Sequence, residues 1–160
     1  MKRKLTTIMI CSCLTSAMHS YGQTKTVDPV ITSEFPSSSP SEDVSKINDK
    51  DLSTKFFNSQ QKVQWFQYEF ASSVVFNQYT LSSANDVPSR DPKSWTLKGS
   101  EDGTNWVDLD TKSGEKFTDR KTSNNYSFIN KKPFKFYRLQ VTETNNGPLQ
   151  FSEWNLSLTK

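Results

Sequence analysis

The sequence predicts an all-β chain, an antiparallel β-sandwich, and three observations carry that prediction. Apolar and aromatic residues recur at every second position in several short segments, which is the period of a half-buried strand. No stretch of about 11 residues or more offers apolar residues at helical spacing. The hydrophobic fraction is only 32%, yet 12% of the residues are aromatic, and few aliphatics beside many aromatics, Ser and Thr favour strands over helices. The aromatic content also argues against disorder, which goes with high net charge and few aromatics.

Residues 1–22 open with Lys2, Arg3 and Lys4, continue through a short apolar run and end in Ser20, Tyr21 and Gly22. This is the layout of a secretory signal peptide, and the apolar run is shorter than the roughly 20 residues a spanning helix needs. The expected location is extracellular or periplasmic. A lipid anchor at Cys13 is the less favoured alternative. Both cysteines (Cys11, Cys13), the only histidine (His19) and all three methionines fall in this leader. Without its three basic residues the remainder carries 17 basic and 17 acidic residues, so the formal charge of +3 belongs to the leader.

Residues 23–160 therefore lack the base of a Ser-His-Asp triad and both members of a Cys-His pair. The ligands of ordinary zinc, haem and iron–sulfur sites are missing as well, and no disulfide can form. A neutral chain gives no reason to expect a nucleic-acid partner.

Residues 23–32 are expected as a linker and 33–160 as one domain. Residues 23–45 are polar, with Pro29, Pro36, Pro40 and the run Ser37-Ser38-Ser39. Residues 63–70 then alternate, with Phe66, Tyr68 and Phe70 on one face. Residues 74–82 are β-branched and aromatic. Residues 94–99 place Trp95 and Leu97 together, and the turn Glu101-Asp102-Gly103-Thr104 joins them to 105–109 as a hairpin. Tyr137, Leu139 and Val141 are in phase over 135–142, as are Trp154, Leu156 and Leu158 over 151–158. Trp65, Trp95, Trp106 and Trp154 all lie in strand-like segments and are expected in the core.

The string SANDVPSRDPKSWTLKGSEDGTNWVDLD (83–110) is the most informative. With INDKDLSTKFF (47–57) before it and FYRLQVTETNNGPLQFSEWNLSL (136–158) after it, it resembles the coagulation factor 5/8 type C, or discoidin, domain. The nearer likeness is to family 32 carbohydrate-binding modules of secreted bacterial glycoside hydrolases. It covers about residues 33–158. The resemblance implies an eight-stranded jelly-roll sandwich of the galactose-binding-domain-like type.

Residues 46–54 concentrate oxygen donors, which suit calcium because that ion takes six to eight of them. Read from the residues alone, the loop is more simply a solvated acidic turn in which Asp49 and Asp51 cap backbone groups. The resemblance implies a structural calcium ion held by the carbonyls of Lys46 and Asp51, the carboxylate of Asp49, Thr54 and Glu153. Lys50 stands where the family commonly has glycine, and Phe56 where it commonly has tryptophan.

The resemblance also implies a ligand site in loops at one end of the sandwich, here 34–42, 57–62 and 85–93, with 144–148 beside them. The candidate contacts are Phe57, Asn58, Asn85, Asp86 and Arg90. Asn, Asp and Arg supply hydrogen bonds to sugar hydroxyls, and Phe57 an apolar face for the ring. Two readings of Arg90 stay open, a ligand contact or an ion pair with Asp86 or Asp91. Phe57 is either a platform or a core residue. Galactose-binding members commonly use a histidine, and residues 23–160 have none.

The function expected is a secreted, monomeric, non-catalytic module for a glycan or glycoconjugate. An adhesion or protein-interaction module on the same fold is the alternative. Membrane binding is disfavoured, since Phe35 and Phe57 are the only large apolar residues of those loops. Enzymatic activity is not expected, because the carboxylates sit mostly in turns without the pairing glycoside hydrolysis needs.

Overall fold

The computed structural model describes residues 28–158, so the leader expected over 1–22 lies outside the described residues. The architecture follows from strand parity. In β3 (Gln64–Val74) the residues Gln64, Phe66 and Tyr68 point inward, and in β8 (Phe134–Thr144) Tyr137, Leu139 and Val141 do the same. The two strands pair antiparallel, with Phe66 opposite Leu139 and Tyr68 opposite Tyr137. This lines up one apolar face from Gln64 to Glu69, beyond which the register shifts before Val74. β1 (Val30–Ser33) joins β3 on its outer side. On the other side β8 pairs with β5 (Pro92–Ser100), and β5 with β6 (Trp106–Lys112), to give the order β1-β3-β8-β5-β6.

The second layer is a three-stranded sheet of β10 (Trp154–Ser157), β4 (Gln78–Ser82) and β7 (Ser123–Ser127), in the order β10-β4-β7. These eight strands are the antiparallel sandwich expected from sequence. A two-residue pair, β2 (Phe56–Phe57) with β9 (Gln150–Phe151), is added at one side. The first strand begins at Val30, inside the segment expected as linker, because its backbone is laddered to Glu69 through Phe66. β7 was not legible: SNNYS carries one inward side chain, Tyr126.

Aromatic rings join the layers. Tyr68 stacks on Trp154 with centroids 4.4 Å apart, and its hydroxyl donates to the Trp154 carbonyl. The Trp95 indole N–H donates to the Tyr79 hydroxyl at 2.9 Å, and Tyr79 donates to Asp110 at 2.8 Å. Trp95 and Trp154 are fully buried, as expected. Trp65 and Trp106 are not in the core. Trp65 has the parity opposite to Phe66 and so faces outward, and Trp106 starts the edge strand. Both lie against the Arg138 guanidinium on the outer face of the five-stranded sheet, at 4.4 and 3.9 Å from their ring centres.

The hairpin expected after residue 100 is present. Asp102 Oδ1 accepts the N–H groups of Thr104 and Asn105, both at 2.8 Å. Gly103 adopts φ +75°, a conformation open to glycine at little cost.

Candidate functional site

Two loop pairs form one end of the sandwich. In the first, Ser38 N–H donates to the Phe57 carbonyl at 3.0 Å, and the Asn58 amide donates to the Pro36 carbonyl at 2.8 Å. In the second, Gly147 N–H donates to the Ser89 carbonyl at 2.6 Å, and Asn145 N–H to the Asp91 carbonyl at 3.1 Å. Side chains join the pairs. The Arg90 guanidinium lies over the Phe57 ring, 4.4 Å from its centre. Lys55 Nζ reaches Asp86 Oδ2 at 2.6 Å and Glu42 at 3.7 Å.

Phe57, Asn85, Asp86 and Arg90 are thus brought together or exposed at this end. Phe57 is half-buried and is neither a core residue nor an open platform, because Arg90 lies over its ring. Arg90 has no ion pair with Asp86 or Asp91. Each Asp86 oxygen is engaged once, Oδ2 by Lys55 and Oδ1 by the Gln150 amide at 2.9 Å. Burial opposes ionisation of Asp86, but those bonds, with Lys55 and Arg90 nearby, hold it below the ordinary aspartate value.

Asp91 is 1% exposed in its side chain and is held by a two-pronged contact from Arg120. Burial raises the Asp91 carboxyl and Arg120 opposes that shift, while Asp91 in turn raises Arg120. Arg120 also donates to the Asp86 carbonyl at 2.9 Å, so it fastens the 85–93 loop at two points. Asn58 is turned inward and is 4% exposed. Its carbonyl oxygen accepts from the N–H groups of Gln60 and Gln61, so it braces its own loop.

Lys55, Arg120, Gly147 and Gln150 were not picked out from sequence. The first, second and fourth meet their partners across 31, 29 and 64 residues. Gly147 had a local signal in the turn-rich run Asn145-Asn146-Gly147-Pro148. A Cβ added there would lie 2.9 Å from Arg90 Cγ.

The oxygen-rich loop forms a second centre, beside the last strand. Asp49 Oδ2 accepts from the Thr54 hydroxyl at 2.8 Å, and its Oδ1 from Asp51 N–H at 3.0 Å. The Asp51 carboxylate serves Ser53, while its carbonyl accepts from Thr54 N–H at 3.1 Å. Lys50 adopts φ +65°, the conformation for which glycine is suited, and its N–H donates to Glu153 Oε1 at 2.8 Å. Glu153 is 2% exposed. Burial pushes its carboxyl up, and the facing Asp49 carboxylate adds to that shift. Burial also opposes ionisation of Asp49, but Thr54, the Asp51 N–H and Lys46 at 3.5 Å outweigh it and hold it low. Among the described residues no group of three or more His, Cys, Asp or Glu converges. What the fold brings together is a buried carboxylate, Glu153, facing the more exposed Asp49, with the Thr54 hydroxyl beside Asp49.

The chain is a two-layer antiparallel sandwich with polar loops gathered at one end, and comparison with known proteins agrees with that architecture. The family description F5/8 type C domain matches residues 29–154, and the chain belongs to that family. A structure of CpGH89CBM32-5 from Clostridium perfringens, in complex with GalNAc-beta-1,3-galactose, is similar. The TM-score is 0.65 at 19% identity, over 81% of this chain and 93% of that one. A pectin-binding carbohydrate-binding module aligns with TM-score 0.66 and 18% identity, over 84% of this chain and 94% of that one. These likenesses establish the fold as that of carbohydrate-binding modules. A peptide-N(4)-(N-acetyl-beta-glucosaminyl)asparagine amidase of Arabidopsis thaliana is 38% identical over 64 residues, spanning 32% of this chain and 9% of the amidase. The chain therefore spans a small part of that relative. Among the described residues no helix is long and apolar enough to cross a membrane.

Proposed function

We propose that this chain is a secreted, non-catalytic carbohydrate-binding module that takes its ligand at the loop end of the sandwich. One observation carries the reading: an arginine whose guanidinium has no ion-pair or hydrogen-bond partner among the described residues is laid on an aromatic ring where four loops meet. Sugar recognition needs fixed polar donors beside apolar surface. Arg90, Phe57 and the exposed Asn85 and Asp86 supply both, and Lys55, Gln150 and Arg120 hold their loop still. The complex of CpGH89CBM32-5 with a galactose-containing disaccharide supports a glycan as the ligand class.

Calcium fits the second centre as a structural ion. Asp49 and Glu153 would hold it, with Thr54 and the carbonyls of Lys46 and Asp51. Two facing carboxylates, one of them buried, are what a divalent cation would relieve. Its contribution would be stability rather than chemistry. A glycan array, run with calcium and with a chelator, tests both parts. Binding to at least one glycan class that is lost in Arg90→Ala is expected. An array without hits in either buffer would refute the binding reading.

A further inference from the structure

We infer that the free edge of β1 is a strand-addition site for an extended polypeptide segment rich in lysine or arginine. The inference goes beyond the glycan reading, because none of Phe57, Asn85, Asp86 and Arg90 lines this site.

The backbone supplies the first part. β1 ends one side of the five-stranded sheet and pairs only with β3. Just past it, Glu34 N–H donates to the Trp65 carbonyl at 3.0 Å, in the same register that sets Thr32 opposite Gln67 and Val30 opposite Glu69. In an antiparallel ladder, residues that bond the partner strand alternate with residues that do not. Thr32 and Val30 therefore turn their backbone groups toward β3, and Ile31 and Ser33 turn theirs outward. The outward N–H and C=O groups of Ile31 and Ser33 have no partner among the described residues. The opposite edge is guarded against such pairing. There β6 carries Asp108, Asp110 and Lys112, and its register with β5 is irregular between Leu97 and Lys98. β1, with the sequence VITS, has neither a charge nor a register shift.

Space and charge define the occupant. A groove of about 410 Å³ lies between residues 31–34 and the loop residues Pro36, Ser37, Asp43 and Val44. That size falls within the roughly 300–1,000 Å³ of ligand clefts. No lysine or arginine lines the groove, whereas Glu34 and Asp43 do. Neither acid has an ion pair among the described residues: Glu34 accepts Trp65 N–H at 3.1 Å, and Asp43 accepts Ser45 N–H at 2.9 Å. Lys55 is engaged by Asp86 and Glu42, and Lys46 by Asp49. Arg138 feels the Glu34 charge from the outer face of the sheet, but its guanidinium bonds Gln67. Ile31 and Val44, both half-buried, give the groove an apolar wall. A strand that alternates basic and apolar side chains matches open backbone groups, an apolar wall and two unpaired acids. A second copy of β1 matches them badly, because Glu34 and Asp43 of both copies would meet at one seam.

The test is fluorescence anisotropy with a labelled heptapeptide of alternating lysine and valine, beside its glutamate–valine counterpart. Hydrogen exchange is read at the amides of Ile31 and Ser33. The lysine peptide is expected to bind about five-fold or more tightly than the glutamate peptide, with the preference shrinking as salt rises. Glu34→Gln combined with Asp43→Asn keeps both acceptors of backbone N–H and is expected to bring the two peptides within about two-fold. Ser33→Pro removes a donor that β3 does not use, which an edge strand tolerates. It is expected to weaken binding about ten-fold while the urea midpoint stays within about 0.5 M of the parent. N-methylation of every second peptide residue is expected to abolish binding in one phase and spare it in the other. The Ile31 and Ser33 amides are expected to exchange freely in the protein alone and to be protected by the peptide. Equal binding of the two peptides, a Ser33→Pro variant as good as the parent, or the same response to both N-methylated phases would overturn the inference. Slow exchange of both amides in the free monomer would assign the edge to another part of this chain and overturn it as well. A dimer in sedimentation that Ser33→Pro dissociates would assign the edge to a second copy, with the same consequence.

Discussion

Arg120→Ala is the sharpest test of how the binding loop is held. The substitution removes the fork from Asp91, whose side chain is 1% exposed, and the bond to the Asp86 carbonyl. Removing one partner of a buried ion pair costs about 3–5 kcal/mol, because the remaining charge is left without compensation. Arg120 is itself partly exposed, and water entering its vacated space offsets some of the loss, so about 3 kcal/mol is expected. With a urea slope of roughly 1.5 kcal/mol per molar, the unfolding midpoint should fall by about 2 M. Adding Asp91→Asn to Arg120→Ala removes the stranded charge and should recover at least half of that loss.

The pH dependence has a definite sign. Asp91 lies above its ordinary value in the folded chain, and without Arg120 it rises further. A carboxyl raised on folding contributes stability below its unfolded value that is lost as pH climbs through the folded one. The gap between parent and Arg120→Ala should therefore widen from about pH 4 to pH 7. A midpoint shift under about 0.5 M, or a gap that narrows over that range, would refute the account of Arg120 as the charge partner of Asp91.

Calcium at about a hundred times its dissociation constant should stabilise the chain by roughly 2.7 kcal/mol, read as a rise in Tm that a chelator reverses and Glu153→Gln abolishes. In calcium-free buffer the parent should lose stability as pH rises past the ordinary glutamate value of 4.5, since Glu153 is raised on folding, so Glu153→Gln should gain on it between pH 4 and 7. Arg138→Ala removes contacts with Trp65 and Trp106 and a 2.8 Å bond to Gln67. A cost of about 2 kcal/mol is expected in urea unfolding, and a change under about 0.5 kcal/mol would show the stack to be incidental. Gly99→Ala would set a Cβ 2.6 Å from the buried Phe134 ring, for an expected cost of about 1–3 kcal/mol by thermal or urea unfolding.

Much of the fold was legible because strand parity is local. Phe66 and Tyr68, or Leu139 and Val141, declare an inward face within a few residues. The same parity rule assigns Trp65 outward once Phe66 is assigned inward, and the expectation that all four tryptophans are core weighed their hydrophobicity above their phase. β7 escaped notice because one tyrosine among Ser and Asn gives no alternation to read. The residues at the loop end were found through the resemblance, but their separate roles were not. Asn58 sits in a stretch expected to face ligand, and the backbone turns its amide to Pro36 and Gln60.

The sequence by itself determined the antiparallel strand class, the hairpin about Gly103, and the absence of histidine and cysteine chemistry beyond residue 22. It left open whether Arg90 is bound to Asp86, to Asp91 or to neither. Only the tertiary structure decided that, because the choice depends on which cations arrive from elsewhere. Lys55 and Gln150 come from β2/β9 and its flank to take Asp86, and Arg120 comes from the approach to β7 to take Asp91. Competition among charges is settled by distances across the fold rather than by neighbours along the chain, and it leaves Arg90 on Phe57 with no direct ion pair among the described residues.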